Sequence, residues 1–550
     1  MNHDQVKRLS TLVGDLHTAR LDRRGFLANA ARLGLAAPIA MSLAGLATRE
    51  GAAAPALALQ DAGKTLIVAI PQATVQLDPA VAGSNGYGDI LPVWDNVTEG
   101  LTRFKTGGVE IEPALAESWA VSEDGLQYVF AIREGVTFHD GTPLDAKAVE
   151  ANFLRQMDEE NPFFQETMVY RGIVFADVES VEATGDLELT VTMSRPTVLL
   201  PGNLAIFAAG IVSPAALEAQ GAEFGQAPVG TGPFTFESWT KDVELVLLAN
   251  EDYWGGRPAL DRVVWRSVAE DTVRLSELQT AAIDVANQVD FKDAGTVEND
   301  PNLQLITGPF LNVQFLAFNE ALAPFDNPSI RQAVQHAINK ENVAEVVSSG
   351  HYTLGAGPIA PTLIGYDPSL AETYAYDPEA AKALVAESGL TDISFDLMNR
   401  TNSFWPVLGQ LIQADLAAVG ITANLQSLED AEFFDLLNTG EAQAFLNDWT
   451  WDNGDPDNVM FSLFANERAV TRMGYKNEEV NKLVLQAQET ADTDARAELY
   501  FKAQELIMED SIMVVLGYPE KAIGALATVE NLKVSPVGAL VLREVALAGS

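Results

Sequence analysis

The hydrophobic period of this 550-residue chain changes along its length, and that change limits the folds open to it. From Thr65 to about residue 305, strand signals dominate. Leu126, Tyr128, Phe130 and Ile132 alternate with partners on the other face, and so do Leu187, Leu189, Val191 and Met193 after the Gly185-Asp186 turn. The run Thr65–Ile70 reads as a buried strand bounded by Gly63 and Pro71. From about residue 326 the spacing becomes helical: Asp326-Asn-Pro328 supplies a cap and a first-turn proline ahead of Ile330, Ala333, Val334, Ala337 and Ile338. Asp377-Pro378 opens a further helix, and Leu408, Leu411 and Ile412 belong to one that stops at Gly420 before the strand Ile421, Ala423, Leu425. The C-terminal segment returns to short apolar runs that are expected to pack back on the first lobe. The chain then crosses between lobes more than once.

A chain of 550 residues exceeds what one hydrophobic core usually supports, so two or three lobes are expected. The net charge of -43 argues against binding nucleic acid or an anionic membrane, which need clustered Lys and Arg. The absence of cysteine removes disulfides, thiolate nucleophiles, thiolate zinc sites and thioether lipid anchors together. Enzyme motifs are equally scarce. Beyond the N-terminal region the histidines are His139, His336 and His351, with no H-E-x-x-H or G-x-S-x-G, and Ala58 stands where a phosphate loop ending at Gly63-Lys-Thr65 needs glycine.

Residues 22–46 place a basic pair before an alanine-rich, weakly apolar run, the layout of a signal peptide. Arg23, Arg24, Phe26 and Leu27 look like the core of a twin-arginine leader, with Asp22 where Ser or Thr is usual. Ala52, Ala54, Ala56 and Ala58 offer small-residue cleavage positions. The expectation is a signal peptide over 1–58, read by twin-arginine export machinery and cleaved, and a periplasmic protein that is not a lipoprotein.

Four blocks carry a longer resemblance. They are Pro113-Ala-Leu-Ala-Glu-Ser-Trp119 running on to Gly135-Val-Thr-Phe-His-Asp-Gly141, Val229-Gly-Thr-Gly-Pro-Phe234, Asn250-Glu-Asp-Tyr-Trp-Gly-Gly256, and Asp452-Asn-Gly-Asp-Pro-Asp-Asn458. Together with the Phe325–Lys340 helix start, they resemble the extracytoplasmic solute-binding proteins of family 5, which serve peptide, opine and nickel ABC importers. One departure is Ala281, in Leu278-Gln-Thr-Ala-Ala-Ile-Asp284, where the family often has glycine. The resemblance implies an α/β, bilobed periplasmic-binding-protein fold with an extra subdomain inserted in the first lobe and a ligand cleft between lobes. On this reading 59–97, 228–305 and 518–550 form the lobe I core, 98–227 the inserted subdomain and 306–517 lobe II. The implied function is capture of di- or oligopeptides and delivery to a membrane ABC permease with its ATPase subunits, by a monomer without cofactor or metal. Nickel, opine or another small solute in the same fold is the alternative, and a secreted hydrolase a more distant one.

A peptide binder must compensate two desolvated charges, an amine and a carboxylate. Asp452 matches the family's amine-binding Asp, and Trp449 and Trp451 flank it. Arg400, in Leu397-Met-Asn-Arg-Thr401, falls where dipeptide-binding relatives place a carboxylate-binding Arg, whose planar fork suits two oxygens. A surface Arg pairing with Asp396 or solvent is the other reading of Arg400. The early loops Gln76-Leu-Asp-Pro79 and Ser84–Tyr87 approach the ligand in such folds, with Tyr87 as a stacking or donor group. His139 reads as structural.

Overall fold

A fourteen-residue strand, Met513–Leu526, runs through both halves of a twelve-stranded sheet and ties them together. Its first half pairs antiparallel with Asn312–Phe318, beyond which lie Ala444–Thr450, Ser394–Arg400 and Thr422–Leu428, the last two parallel to each other. Its second half pairs with Leu303–Pro309 and Val285–Ala286. From there the sheet continues through the parallel strands Thr65–Ile70 and Arg262–Ser267 to the antiparallel Glu244–Ala249 and Phe234–Thr240. The chain leaves the first lobe through Phe310-Leu311, between two of these strands, and returns along Met513–Leu526.

This computed structural model describes residues 64–82, 88–401 and 404–549, with Tyr87 described by its backbone alone. The expected signal peptide with Arg23, Arg24, Phe26 and Leu27, the residues Ser84, Asn85 and Gly86, and the side chain of Tyr87 lie outside the described residues. Residues 64–550 form one compact unit. No helix among the described residues is long and apolar enough to cross a membrane.

The elements follow from local chemistry. Tyr128, Phe130 and Ile132 on Gln127–Ile132, and Leu189, Val191 and Met193 on Glu188–Met193, are all buried, in a separate four-stranded sheet completed by Ala116–Val121 and Val178–Ala183. Helix Pro328–Ala337 begins where Asn327 Oδ1 accepts from Ser329 N, and helix Pro378–Glu387 where Asp377 accepts from Glu379 N and Ala380 N. Helices also interrupt the strand-rich region, the longest there among the described residues being Ala146–Met157. Ala146–Met157, capped by Asp145, buries Asn152, Arg155 and Gln156 beside Val149 and Phe153. Those polar residues on the inward face hide its apolar period. Arg155 is held there by a bidentate pair with Asp78, at 3.0 and 2.6 Å, which fixes the Gln76–Pro79 loop to the inserted segment.

Two of the blocks meet in the first lobe. Thr231, Tyr253 and Trp254, from those two blocks, all donate to the buried carboxylate of Glu99, at 2.9, 2.7 and 2.8 Å. Burial nevertheless holds the Glu99 pKa above its ordinary value. His139 accepts from Gly230 N and bonds Gly232 O at 2.9 Å, and its burial favours the neutral ring, a structural role.

Candidate interlobe binding site

Asp452 sits just past the strand Ala444–Thr450, where the second lobe meets the inserted segment of the first. The ladder continues one step beyond the strand, since Trp451 N donates to Leu311 O at 3.0 Å. Asp452 and Phe310 are the next residues on either side. The loop that follows turns sharply at Gly454, whose φ of +64° disfavours other residues and where an added Cβ would press on Phe104 at 3.0 Å. Asn453 then reaches the first lobe, donating from Nδ2 to Asn203 Oδ1 at 3.0 Å, while Asn203 donates to Ile173 O.

The half-buried Asp452 carboxylate has no hydrogen bond or ion pair among the described residues. Desolvation alone pushes its pKa up to about 7. Its charge is felt by Tyr170, whose phenol is kept protonated by burial first and by Asp452 second, and whose ring packs edge-on against Phe207 at 4.7 Å. Asp452 therefore faces the first lobe with a phenol nearby and an unmet charge. Tyr170 carried no signal in the sequence; it follows Met168, which packs on Ala80 and Val81 of the early loop.

The neighbouring acids are committed elsewhere. Asp455 forms a bidentate pair with Arg496, both bonds at 2.7 Å, and Asp457 accepts from Gln488 Nε2 at 2.8 Å. Trp449 is half-buried, donates from Nε1 to Asn458 Oδ1 at 2.6 Å and lies under Arg468. Trp451 is fully buried in the core that joins the lobes, and its Nε1 lacks an acceptor. Trp451 is thus a core residue, and Trp449 is tied to the loop that follows Asp452.

Arg400 lies at the end of strand Ser394–Arg400, its guanidinium over the Trp405 ring at 4.6 Å. It donates from Nη2 to Asp448 Oδ1 at 2.6 Å, and Asn312 Nδ2 bridges Asp448 Oδ2 and Thr450 Oγ1 at 2.8 and 2.9 Å. Its partner is Asp448, and Asp396 instead accepts from Asn424. One arm of the fork expected for a ligand carboxylate already holds a carboxylate of the protein, while its buried Nε has no partner. The histidines are also engaged: His336 Nδ1 bonds Ala375 O at 2.9 Å, and His351 stacks on Phe291 beside Glu520.

Residues 110–470 match the family described as bacterial extracellular solute-binding proteins, family 5. Heme-binding protein A of Haemophilus influenzae is 33% identical over 431 residues, 74% of this chain and 79% of its own length. Di/tripeptide-binding protein 2 of Pseudomonas aeruginosa is 30% identical over 514 residues, 88% of this chain and 95% of its own. Among solved structures, the ABC transporter-associated periplasmic binding protein DppA of Helicobacter pylori in complex with peptide STSA superposes with a TM-score of 0.75. It is 29% identical and the match covers 88% of this chain and 98% of that one. With the family match spanning most of the chain and the bilobed sheet architecture in place, this chain belongs to the family 5 bacterial extracellular solute-binding proteins.

Proposed function

We propose that this protein is the periplasmic substrate-capturing component of an ABC importer and that it holds short peptides by their free α-amine. The observation that carries the reading is the unpaired, desolvated carboxylate of Asp452 at the meeting of the lobes. An isolated buried charge is costly, and a ligand ammonium supplies the missing partner. The Pseudomonas aeruginosa relative is a di/tripeptide-binding protein by name, and the Helicobacter pylori neighbour holds a peptide, which supports the same class.

In this reading Trp449 lies beside the amine with Trp451 as core behind it, Tyr87 approaches from the first lobe, and Arg400 lines the cleft together with Asp448. Residues 98–227 act as the inserted subdomain and 306–517 as lobe II. Closure of the lobes on the ligand presents one surface to a permease and its ATPase subunits. Arg23, Arg24, Phe26 and Leu27 address the chain to twin-arginine export, and the protein works as a monomer that leaves its ligand chemically unchanged.

The test is thermal melting of the purified protein against di- and tripeptides, their N-acetyl forms, opines, sugars, nickel and hemin. A ligand for the folded state raises the melting temperature by mass action, about 2.7 kcal/mol at a hundredfold excess over Kd. Free-amine peptides should shift the wild type, and neither N-acetyl peptides nor the Asp452→Ala protein should respond. An undiminished shift in Asp452→Ala would remove the site, a shift with hemin or nickel alone would replace the ligand class, and peptide turnover would overturn the non-enzymatic reading.

A further inference from the structure

Lys521 lies on the strand that ties the lobes together, and its ammonium has no hydrogen bond or ion pair among the described residues. Its contact is with the face of Phe310, the ring centroid 5.9 Å from Nζ. Phe310 precedes Leu311, whose carbonyl accepts from Trp451 N, so the lysine and Asp452 lie on either side of the same crossover segment.

A second orphan lies on the same face. Val285 pairs with Ala525 and Ala286 with Gly524; alternation then sets Asn287 on the side of Ala525, Ile523 and Lys521. Asn287 is only 4% exposed, and its Oδ1 has no partner. It follows the carboxyl end of Val285–Ala286, beside the parallel strand Thr65–Ile70, the end of an α/β sheet where ligands gather. The adjacent acid, Glu520, points away to His351 Nδ1 at 3.1 Å.

We propose that Lys521 is the anion subsite of the interlobe cleft and receives the ligand's carboxylate, while Asn287 Oδ1 on the same face is left to accept from a ligand N–H. This rests on the peptide reading and completes it. Asp452 and Lys521 offer one unmet charge of each sign, the complement of a zwitterion, whereas Arg400 has its charge matched by Asp448. Burial depresses the lysine to about 8 and raises the aspartate, and no opposing charge contributes to either shift.

The experiment measures binding of Ala-Ala-Ala, its C-terminal amide and its N-acetyl form by calorimetry to the wild type, Lys521→Met and Lys521→Arg. The wild type should prefer the free acid over the amide by at least about tenfold, the size of one charge-assisted bond. Lys521→Met should bind both alike and still reject the N-acetyl peptide, and Lys521→Arg should keep the preference. Residual amide binding shows that Lys521→Met is folded. A free-acid preference that survives in Lys521→Met overturns the subsite while leaving the peptide reading intact. Failure of the wild type to bind any of the three overturns the peptide reading and the subsite with it.

Discussion

Arg400 and Asp448 form an ion pair of 2.6 Å, with side chains 15% and 30% exposed. Asn312 holds the second carboxylate oxygen, and Trp405 supports the guanidinium. The pair is therefore a fixed polar wall with no net charge. Removing one partner strands the other in a partly desolvated place. Asp448→Ala should lower apo stability by about 2 kcal/mol, below the range for fully buried pairs because both groups keep some water. Urea unfolding of Asp448→Ala, Arg400→Met and the double variant checks this. The double variant should be more stable than the sum of the singles implies.

Asp452 should make ligand affinity depend on pH. Its folded pKa, near 7, lies above the ordinary 3.8, so the native state keeps a proton that the unfolded state has lost. Apo stability conferred by this group therefore falls as pH rises from about 4 to about 7. Asp457, pushed up to about 7 by burial and then by the Asp455 charge, adds a slope of the same sign. A ligand ammonium needs the ionised form. Affinity should rise by up to about tenfold per pH unit between pH 5 and 7, then level off. Calorimetry at pH 6 in buffers of different ionisation heat should count about one proton released per peptide bound, and Asp452→Asn should release none.

Much of the scaffold was legible because it rests on local chemistry. The caps at Asn327 and Asp377 and the alternating strand at Tyr128, Phe130 and Ile132 lie where the sequence puts them, since each depends on neighbours a few residues away. Helix Ala146–Met157 was not, because its buried face carries Arg155 and Asn152, whose partners Asp78 and Val212 are distant in sequence. The site divides in the same way. Asp452 stands in a recognisable loop, but that Asp448 neutralises Arg400, that Tyr170 faces Asp452, and that Lys521 has no partner are all tertiary facts. No spacing along the chain encodes them.

Ala281 stands where the family often has glycine, and its φ is +53°, in the left-handed region. It follows helix Asp271–Gln279, and its N–H donates to Leu278 O at 3.0 Å, so the turn is set by the helix end. An alanine Cβ in this conformation costs roughly 1–2 kcal/mol against glycine. Glycine also loses more chain entropy on folding, about 0.5–1 kcal/mol. The difference leaves Ala281→Gly more stable by about 0.5–1 kcal/mol, a gain that urea unfolding can resolve. Ala281→Val, with a branched side chain at positive φ, should be less stable than either.

The bond from Asn453 Nδ2 to Asn203 Oδ1 joins the Asp452 loop to the first lobe, so it should govern how long the cleft stays shut. A neutral hydrogen bond is worth about 1 kcal/mol, which is roughly a fivefold change in the balance of closed and open forms. Each asparagine also serves its own lobe, since Asn203 donates to Ile173 O and Asn453 Oδ1 accepts from Asp455 N. Truncating either one alone therefore disturbs local structure as well. What Asn203→Ala and Asn453→Ala share is the lost bridge. Both should speed peptide dissociation by about fivefold in stopped-flow displacement, with association little changed. The double variant should dissociate no faster than the singles if the bridge is the common cause. Multiplied rates would mean that the two side chains act separately, each through its own lobe.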